Sequence, residues 1–304
     1  MRYDDTSPVT GAQSSAMVSR PRGLLRALPF TRQPDPDMTD LPRRFWHEMS
    51  AYDFANADTS DWIAVLPVAA IEQHGPHLPV FTDTCIAEGQ IARVTELLPH
   101  DLPVTFLPVQ AVGKSNEHIS SRGTLTLTWE TATRAWEEIG ESVHRAGVRK
   151  IVIVTSHGGN VPLMDIVARE LRVKFDMLAT ATGWSRFGQP HGLFPAEEFT
   201  YGIHGGDIET SIMLHLRPDL VKMERAADFH STQLDFIKEF KHLRGHGPAQ
   251  FGWKAQDLNP AGTVGNAAAA TAAKGEASLD HAAKGFVELL QDMHAFDPAR
   301  LWKP

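Results

Sequence analysis

Residues 63–83 read IAVLPVAAIEQHGPHLPVFTD. Ile63 to Ile71 is an apolar run with one proline, long enough for a strand buried on both faces. Glu72, His74, His77 and Asp83 follow, interleaved with Gly75, Pro76 and Pro79. Proline and glycine neither continue a strand nor build a helix here, so a rigid loop at the strand's carboxyl end is expected. Open α/β sheets bind ligands at that end. Carboxylates and imidazoles in such a loop are the donors that zinc, manganese and iron accept. The Glu72-x-His74 spacing puts both side chains on one side of an extended segment, which suits ligands of neighbouring ions. An ordinary solvated Gly/Pro loop has the same composition, so the loop alone leaves both readings open.

The 304-residue chain has a formal net charge of −8, with 42% hydrophobic and 22% charged residues. That is the profile of a soluble globular protein, and nothing in it favours nucleic acid or an anionic membrane surface. No apolar run reaches the ~18 residues of a spanning helix. A single cysteine, Cys85, excludes an internal disulfide and a thiolate cluster. Any metal must therefore be held by histidine and carboxylate, and the chain has 15 histidines.

Residues 1–38 are rich in Ser, Pro, Arg and Asp, and their one apolar cluster is broken by Arg26 and Pro29. A disordered tail is expected, with Met38 as a candidate start; the alternative is an arm packed on a neighbouring subunit. Residues 39–304 are expected to form one domain. Helices are predicted over 41–58, 84–98, 129–146 and 161–174, and strands over 104–109, 150–155 and 177–182. Residues 124–128 (TLTLT) read as a further sheet segment, Thr128 as a helix N-cap and Gly147 as a stop. The strand KIVIVT runs into Ser156-His157-Gly158-Gly159-Asn160 and a helix that Asn160 is placed to cap; a tight turn with a bystander histidine is the alternative. Residues 183–201 hold Trp184, Phe187, Phe194 and Phe199 in a long irregular stretch of the kind that forms lids. His204-Gly205-Gly206-Asp207-Ile208-Glu209 opens a helix near Asp207, with Glu209 in its first turn. Residues 225–260 read as surface loop, 262–266 as a turn, and 267–296 as one or two helices with a break near Lys274-Gly275-Glu276. The alternation of strands and helices argues α/β with a mostly parallel central sheet.

Three loops thus present Glu72, His74 and Asp83; His157; and His204 and Glu209. Carboxylates and imidazoles without a thiol suit a two-metal site, in which one carboxylate bridges ions ~3.5–4 Å apart and a bridging water becomes hydroxide near neutral pH. The sequence here resembles the creatininase family of metal-dependent amidohydrolases. The matching text is LPVAAIEQHGPHLPVFTD, the EH of SNEHISSRGTLTL, the SHGGN turn, HGGDIETSIML and GTVGNAAAATAAKGE, spread over about residues 60 to 290.

The resemblance implies a three-layer α/β/α sandwich and a binuclear metal site. It implies hydrolysis of the C–N bond of a small cyclic or linear amide: creatinine-like, a lactam or a formamide. It also implies a cytoplasmic homo-oligomer, often a hexamer, with neither nucleic acid nor membrane as partner. Glu72 and His157 match ligands of one ion, His74 a ligand of the other, and Asp83 the bridge. Two Zn2+ ions are expected, with Mn2+ or Fe2+ as alternatives. In creatininase a glutamate two residues after the histidine matching His157 completes the second ion's coordination; here that position is Gly159. Glu209 is expected to replace the missing carboxylate, directly or through a water. His204 matches the family's proton shuttle, so His204 and Glu209 are the candidate catalytic residues. His77 and His118 are expected to support the ligands. Creatininase closes tryptophans over its substrate; Trp184 loosely matches one, and Thr200 stands in place of another, which points away from creatinine itself. The same scaffold serves formamide deformylation and peptide trimming in cofactor maturation, and the residues do not choose among them. Two other readings compete. A metallo-phosphoesterase needs cations for phosphate, for which Lys114 and Arg122 are the candidates near a motif loop. A catalytically inactive metal-binding scaffold follows if Gly159 costs the second ion.

Overall fold

A computed structural model describes residues 41–247 and 249–302, and the tail expected over residues 1–38 lies outside them. Four short runs make the main sheet: β1 (Ile63–Val68), β2 (Val104–Phe106), β3 (Lys150–Thr155) and β4 (Leu178–Gly183). They pair in parallel in the order β2-β1-β3-β4. Every residue of β1 and β3 is buried, as a sheet covered on both faces requires. Pro67 is tolerated inside β1. Its carbonyl accepts from Gln110 N–H at 2.9 Å, on the edge beyond the end of β2, so its missing N–H breaks no bond to β3.

The helices in chain order are α1 (Ala51–Asn56), α2 (Thr82–Leu97), α3 (Trp129–Arg145), α4 (Val161–Phe175), α5 (Ala196–Tyr201), α6 (Asp207–Leu216), α7 (Gln233–Glu239), α8 (Ala255–Leu258) and α9 (Ala272–Ala295). Period-two alternation along the strands feeds two cores. Leu66, Ile151 and Ile153 meet Trp136 and Val143 of α3 and Leu163 and Leu171 of α4. Ile63, Val65, Val152 and Val154 meet Ile91 and Val94 of α2 and Phe286 and Leu290 of α9. Each fully buried side chain of this size contributes about 1.5–3 kcal/mol relative to exposure. The result is the expected layered α/β fold, with a parallel sheet between two helix layers. Among the described residues no helix is long and apolar enough to cross a membrane.

Several expected elements differ. Over 41–58 the only helical pieces are a 3-10 turn at Trp46–Glu48 and α1, because Arg44 and Phe45 run beside β2: Phe106 N–H donates to the Arg44 carbonyl at 2.8 Å. A Ser50/Asp53 capping box then starts α1. Residues 124–128 form no strand; Leu125 N–H bonds the Ile71 carbonyl in a single bridge, while Thr124 and Thr126 accept from Gln73 N–H and Ser115 N–H. Residues 183–201 contain a 3-10 turn and α5, and 225–260 contain α7, α8 and β5 (Asp228–Phe229), which pairs with β6 (Gly265–Asn266). α9 runs unbroken through Gly275. A Cβ there would collide with the Ser211 carbonyl, so this glycine permits α9 to cross α6 closely and does not end a helix.

From β1 the chain steps to β2 on one side, and then to β3 on the other. The carboxyl ends of β1 and β3 are therefore a switch point, where diverging loops leave a crevice.

Candidate metal centre

The loop after β1 brings Glu72 and His74 into that crevice, the first turn of α2 brings Asp83, and the end of β3 brings His157. α6 brings Glu209 in its first turn, with His204 just before it. Glu72, His74 and Asp83 are at most 1% exposed.

Three histidines are anchored alike. His74 Nδ1 lies 3.0 Å from the Glu72 carbonyl, His157 Nε2 3.0 Å from the Lys114 carbonyl, and His204 Nε2 2.7 Å from the Gln73 carbonyl. A carbonyl only accepts, so these nitrogens carry hydrogens, and the other ring nitrogen of each histidine faces inward. His74 Nε2 is 3.6 Å from Asp83 Oδ1 and 3.7 Å from Glu209 Oε2. His157 Nδ1 is 3.2 Å from Glu72 Oε1 and 3.6 Å from Asp83 Oδ2.

Two donor sets result, each with its atoms within 4.8 Å of one another: Glu72/Asp83/His157 and His74/Asp83/Glu209. They share Asp83. A third grouping, Glu72/His74/His204, overlaps both. Both Glu72 carboxylate oxygens, Asp83 Oδ2 and His74 Nε2 are buried without a hydrogen-bond partner. A buried polar atom left unpaired costs about 1–3 kcal/mol, more when charged. Four of them converging is what a cation site requires, and a thiol-free His/carboxylate set fits zinc, manganese or iron.

The electrostatics agree. Burial acts to lower His74, but Asp83, Glu209 and Glu72 prevail and raise it to about 10. Burial likewise opposes His157, which Glu72, Asp83 and Glu117 raise to about 10. Burial acts to raise Glu72, yet His157, His118 and His204 hold it well below the usual carboxylate range. Burial raises Glu209 to about 7, opposed by His74 and assisted by Asp83. Burial, with Glu72, pushes Asp83 up as well. This is a pocket that draws in positive charge.

Burial, with His74 and His118 beside it, holds His204 well below its ordinary value, so its imidazole is neutral. Its ring stacks between His74, at 4.2 Å, and His118, at 4.3 Å, centroid to centroid. His118 Nε2 lies 3.3 Å from Glu72 Oε1, and burial lowers His118 to about 4. His77 belongs to neither donor set: its Nε2 meets Thr210 Oγ1 at 2.9 Å and its ring stacks on Phe229.

Gly159 has a local explanation. A Cβ there would collide with the Glu117 carboxylate and the His157 ring. Glu117, paired with Lys114 Nζ at 2.9 Å, occupies that space on the outer edge of His157, 3.6 Å from Nε2. The carboxylates beside His74 are those of Asp83 and Glu209. Asn160 makes no helix cap; its amide donates to the Ala69 carbonyl and accepts from Lys114 N–H, both at 3.0 Å, tying together the loops that flank the site. Trp184 covers nothing at the site: it is buried in the α2–α9 core with its ring 4.7 Å from Phe286. Sequence reasoning overlooked Glu198. It accepts from Asp207 N–H at 2.6 Å and Asn266 N–H at 2.8 Å and so sets the start of α6. Its signal was the spacing of Gly202, Gly206 and Gly265, whose Cβ positions all crowd its carboxylate.

The family model described as creatininase, creatinine amidohydrolase, matches residues 47–290. The chain is 33% identical over 217 residues to the mycofactocin precursor peptide peptidase of Mycobacterium tuberculosis, covering 69% of this chain and 77% of that protein. It is 28% identical over 259 residues to the creatinine amidohydrolase of Pseudomonas putida, covering 78% and 92%. A crystal structure of creatininase superposes with a TM-score of 0.67 at 25% identity, covering 84% of this chain and 99% of that one. A manganese creatininase gives 0.64 at 25% identity, covering 83% and 99%.

Proposed function

The chain belongs to the creatininase family, and from that premise we propose that it is a metal-dependent hydrolase that cleaves an amide C–N bond in a short peptide. The convergence of unpartnered buried donors on two sets sharing Asp83 carries the metal-dependent reading. Glu72 and His157 would hold one divalent ion, His74 and Glu209 the other, and Asp83 both. When bound, two such ions polarise a carbonyl and make water acidic enough to attack near neutral pH. His204 is the proton carrier: its neutral ring takes a proton at Nδ1 and returns it to the departing amine nitrogen. Glu209 sits at the open side, its side chain 19% exposed against 0% for Glu72, where an extended substrate would enter.

Two observations support a peptide substrate. The Mycobacterium tuberculosis relative, at 33% identity, is a peptide peptidase. Trp184 is committed to the core and Thr200 is exposed, which leaves no tryptophan pair to close over a small ring. The small non-peptide amide expected from the sequence is the second reading, favoured by the 28% identity to a creatinine amidohydrolase. A phosphoesterase is disfavoured, since Lys114 is engaged by Glu117.

The test is elemental analysis of the purified protein with a panel of short peptides, creatinine, lactams and aryl formamides. About two ions per chain and peptide turnover that a chelator abolishes are expected. Turnover of creatinine or a formamide alone transfers the proposal to the second reading. No turnover of any amide after zinc or manganese addition overturns the hydrolase.

A further inference from the structure

Gln73, between Glu72 and His74, is buried. Its side-chain amide has one admissible orientation. Oε1 accepts from Gly75 N–H at 3.0 Å, and Nε2 donates to the Gly262 carbonyl at 2.5 Å. A main-chain N–H only donates and a carbonyl only accepts, so the amide's oxygen and nitrogen are not interchangeable. The fit restricts position 262 to glycine, whose φ is +76° and whose Cβ would stand 2.7 Å from Oε1.

An amide nitrogen has two hydrogens. One goes to Gly262, and the other points to His118 Nδ1 at 2.8 Å. His118 Nδ1 is therefore the acceptor, and its neutral ring carries hydrogen on Nε2, beside Glu72 Oε1 at 3.3 Å. The main-chain carbonyl of Gln73 accepts from His204 Nε2. The 3.2 Å approach of Gln73 Nε2 to His204 Nε2 is then a contact between two donors, because both amide hydrogens are already placed. His204 Nδ1 keeps its lone pair and lies 3.7 Å from Glu72 Oε1. The two histidines thus meet one carboxylate oxygen with opposite polarity: His118 presents a hydrogen and His204 a lone pair.

We infer that Gln73 is a positioning residue that sets both tautomers, His118 through its amide and His204 through its carbonyl, so that His118 turns a hydrogen and His204 a lone pair toward the site. The direction of proton flow rests on the hydrolase reading; the tautomers do not.

The test is NMR of isotope-labelled histidine in the zinc-loaded protein, where nitrogen–hydrogen couplings report which ring nitrogen is protonated. Wild type is expected to show Nε2–H on both His118 and His204. Gln73→Met removes the amide but keeps the carbonyl. It should convert His118 to a mixture containing Nδ1–H, leave His204 unchanged, and lower kcat ~10-fold or more at unchanged zinc content. A merely structural role would disturb both rings together or neither, and either result overturns the inference. Should Gln73→Met fail to fold, the wild-type spectrum decides, because Nδ1–H on His118 is incompatible with the amide donor. If the tautomers are as stated and no amide is hydrolysed, the positioning stands and the hydrolase reading alone falls.

Discussion

The two donor sets share Asp83 yet are held by different means. Glu72, Asp83 and His157 come from the loops that leave the adjoining strands β1 and β3 and from the first turn of α2, and their side chains are at most 5% exposed. The set of His74, Asp83 and Glu209 is completed from α6, whose own position depends on Glu198 at its start and on the close crossing of α9 at Gly275. The sheet set is a product of strand register, whereas the helix set is a product of docking. Charge separates them too: Glu72 is held well below the usual carboxylate range, whereas Glu209 is raised to about 7. The difference teaches how each half is assembled. The sheet set is the more deeply buried, and the helix set faces the opening through Glu209, whose side chain is 19% exposed.

Removing the shared carboxylate is the strongest way to break this comparison. Asp83→Asn should cost both sets their ions, and kcat/KM should fall on the order of 10³-fold or more, because several kcal/mol of metal stabilisation disappears. Elemental analysis still finding two ions would show that the sets do not depend on a common ligand. Glu209→Gln sharpens the comparison by striking one side only. About one ion per chain should remain, on the sheet side, with a rate loss of roughly 10²-fold. Two ions retained at wild-type affinity would remove Glu209 from the helix set.

The smallest effect is on stability in chelator-stripped protein. Glu209 titrates at about 7 when folded, against an ordinary 4.5, so its protonated form favours folding. That contribution is complete below 4.5 and is lost as pH rises through about 7. The stability of wild type relative to Glu209→Gln should therefore fall between these values. A pH-independent difference in thermal midpoints would mean that Glu209 is not desolvated as the helix set requires. His157, raised to about 10, adds a loss at higher pH, from its ordinary 6.5 up to about 10, that is common to both proteins.

Legibility in the sequence follows the same division. The apolar runs of β1 and β3 declare themselves because burial on both faces leaves no polar alternation. The loop chemistry of Glu72, His74 and Asp83 is local, set by Gly75, Pro76 and Pro79 at the end of a strand. The TLTLT segment misled because alternation has the same appearance whether a segment joins a sheet or, as here, pins neighbouring loops through threonine hydroxyls. Lys274-Gly275 read as a helix break because a glycine's reason is its neighbour, and that neighbour, Ser211, lies on another helix. Trp184 read as a substrate cover because an aromatic residue in an irregular stretch does not reveal which way it faces.

By itself the sequence determined the layered parallel α/β architecture, the strand ends that carry the chemistry, and a thiol-free His/carboxylate donor set. Hydrophobic period and turn residues act over a few neighbours, so these features are written locally. Only the tertiary structure decided that Glu209 stands beside His74, that Glu117 fills the space above Gly159, and that one glutamine reaches both His118 and His204. Those are distances between residues far apart in the chain, and they exist only once helices have packed against a finished sheet.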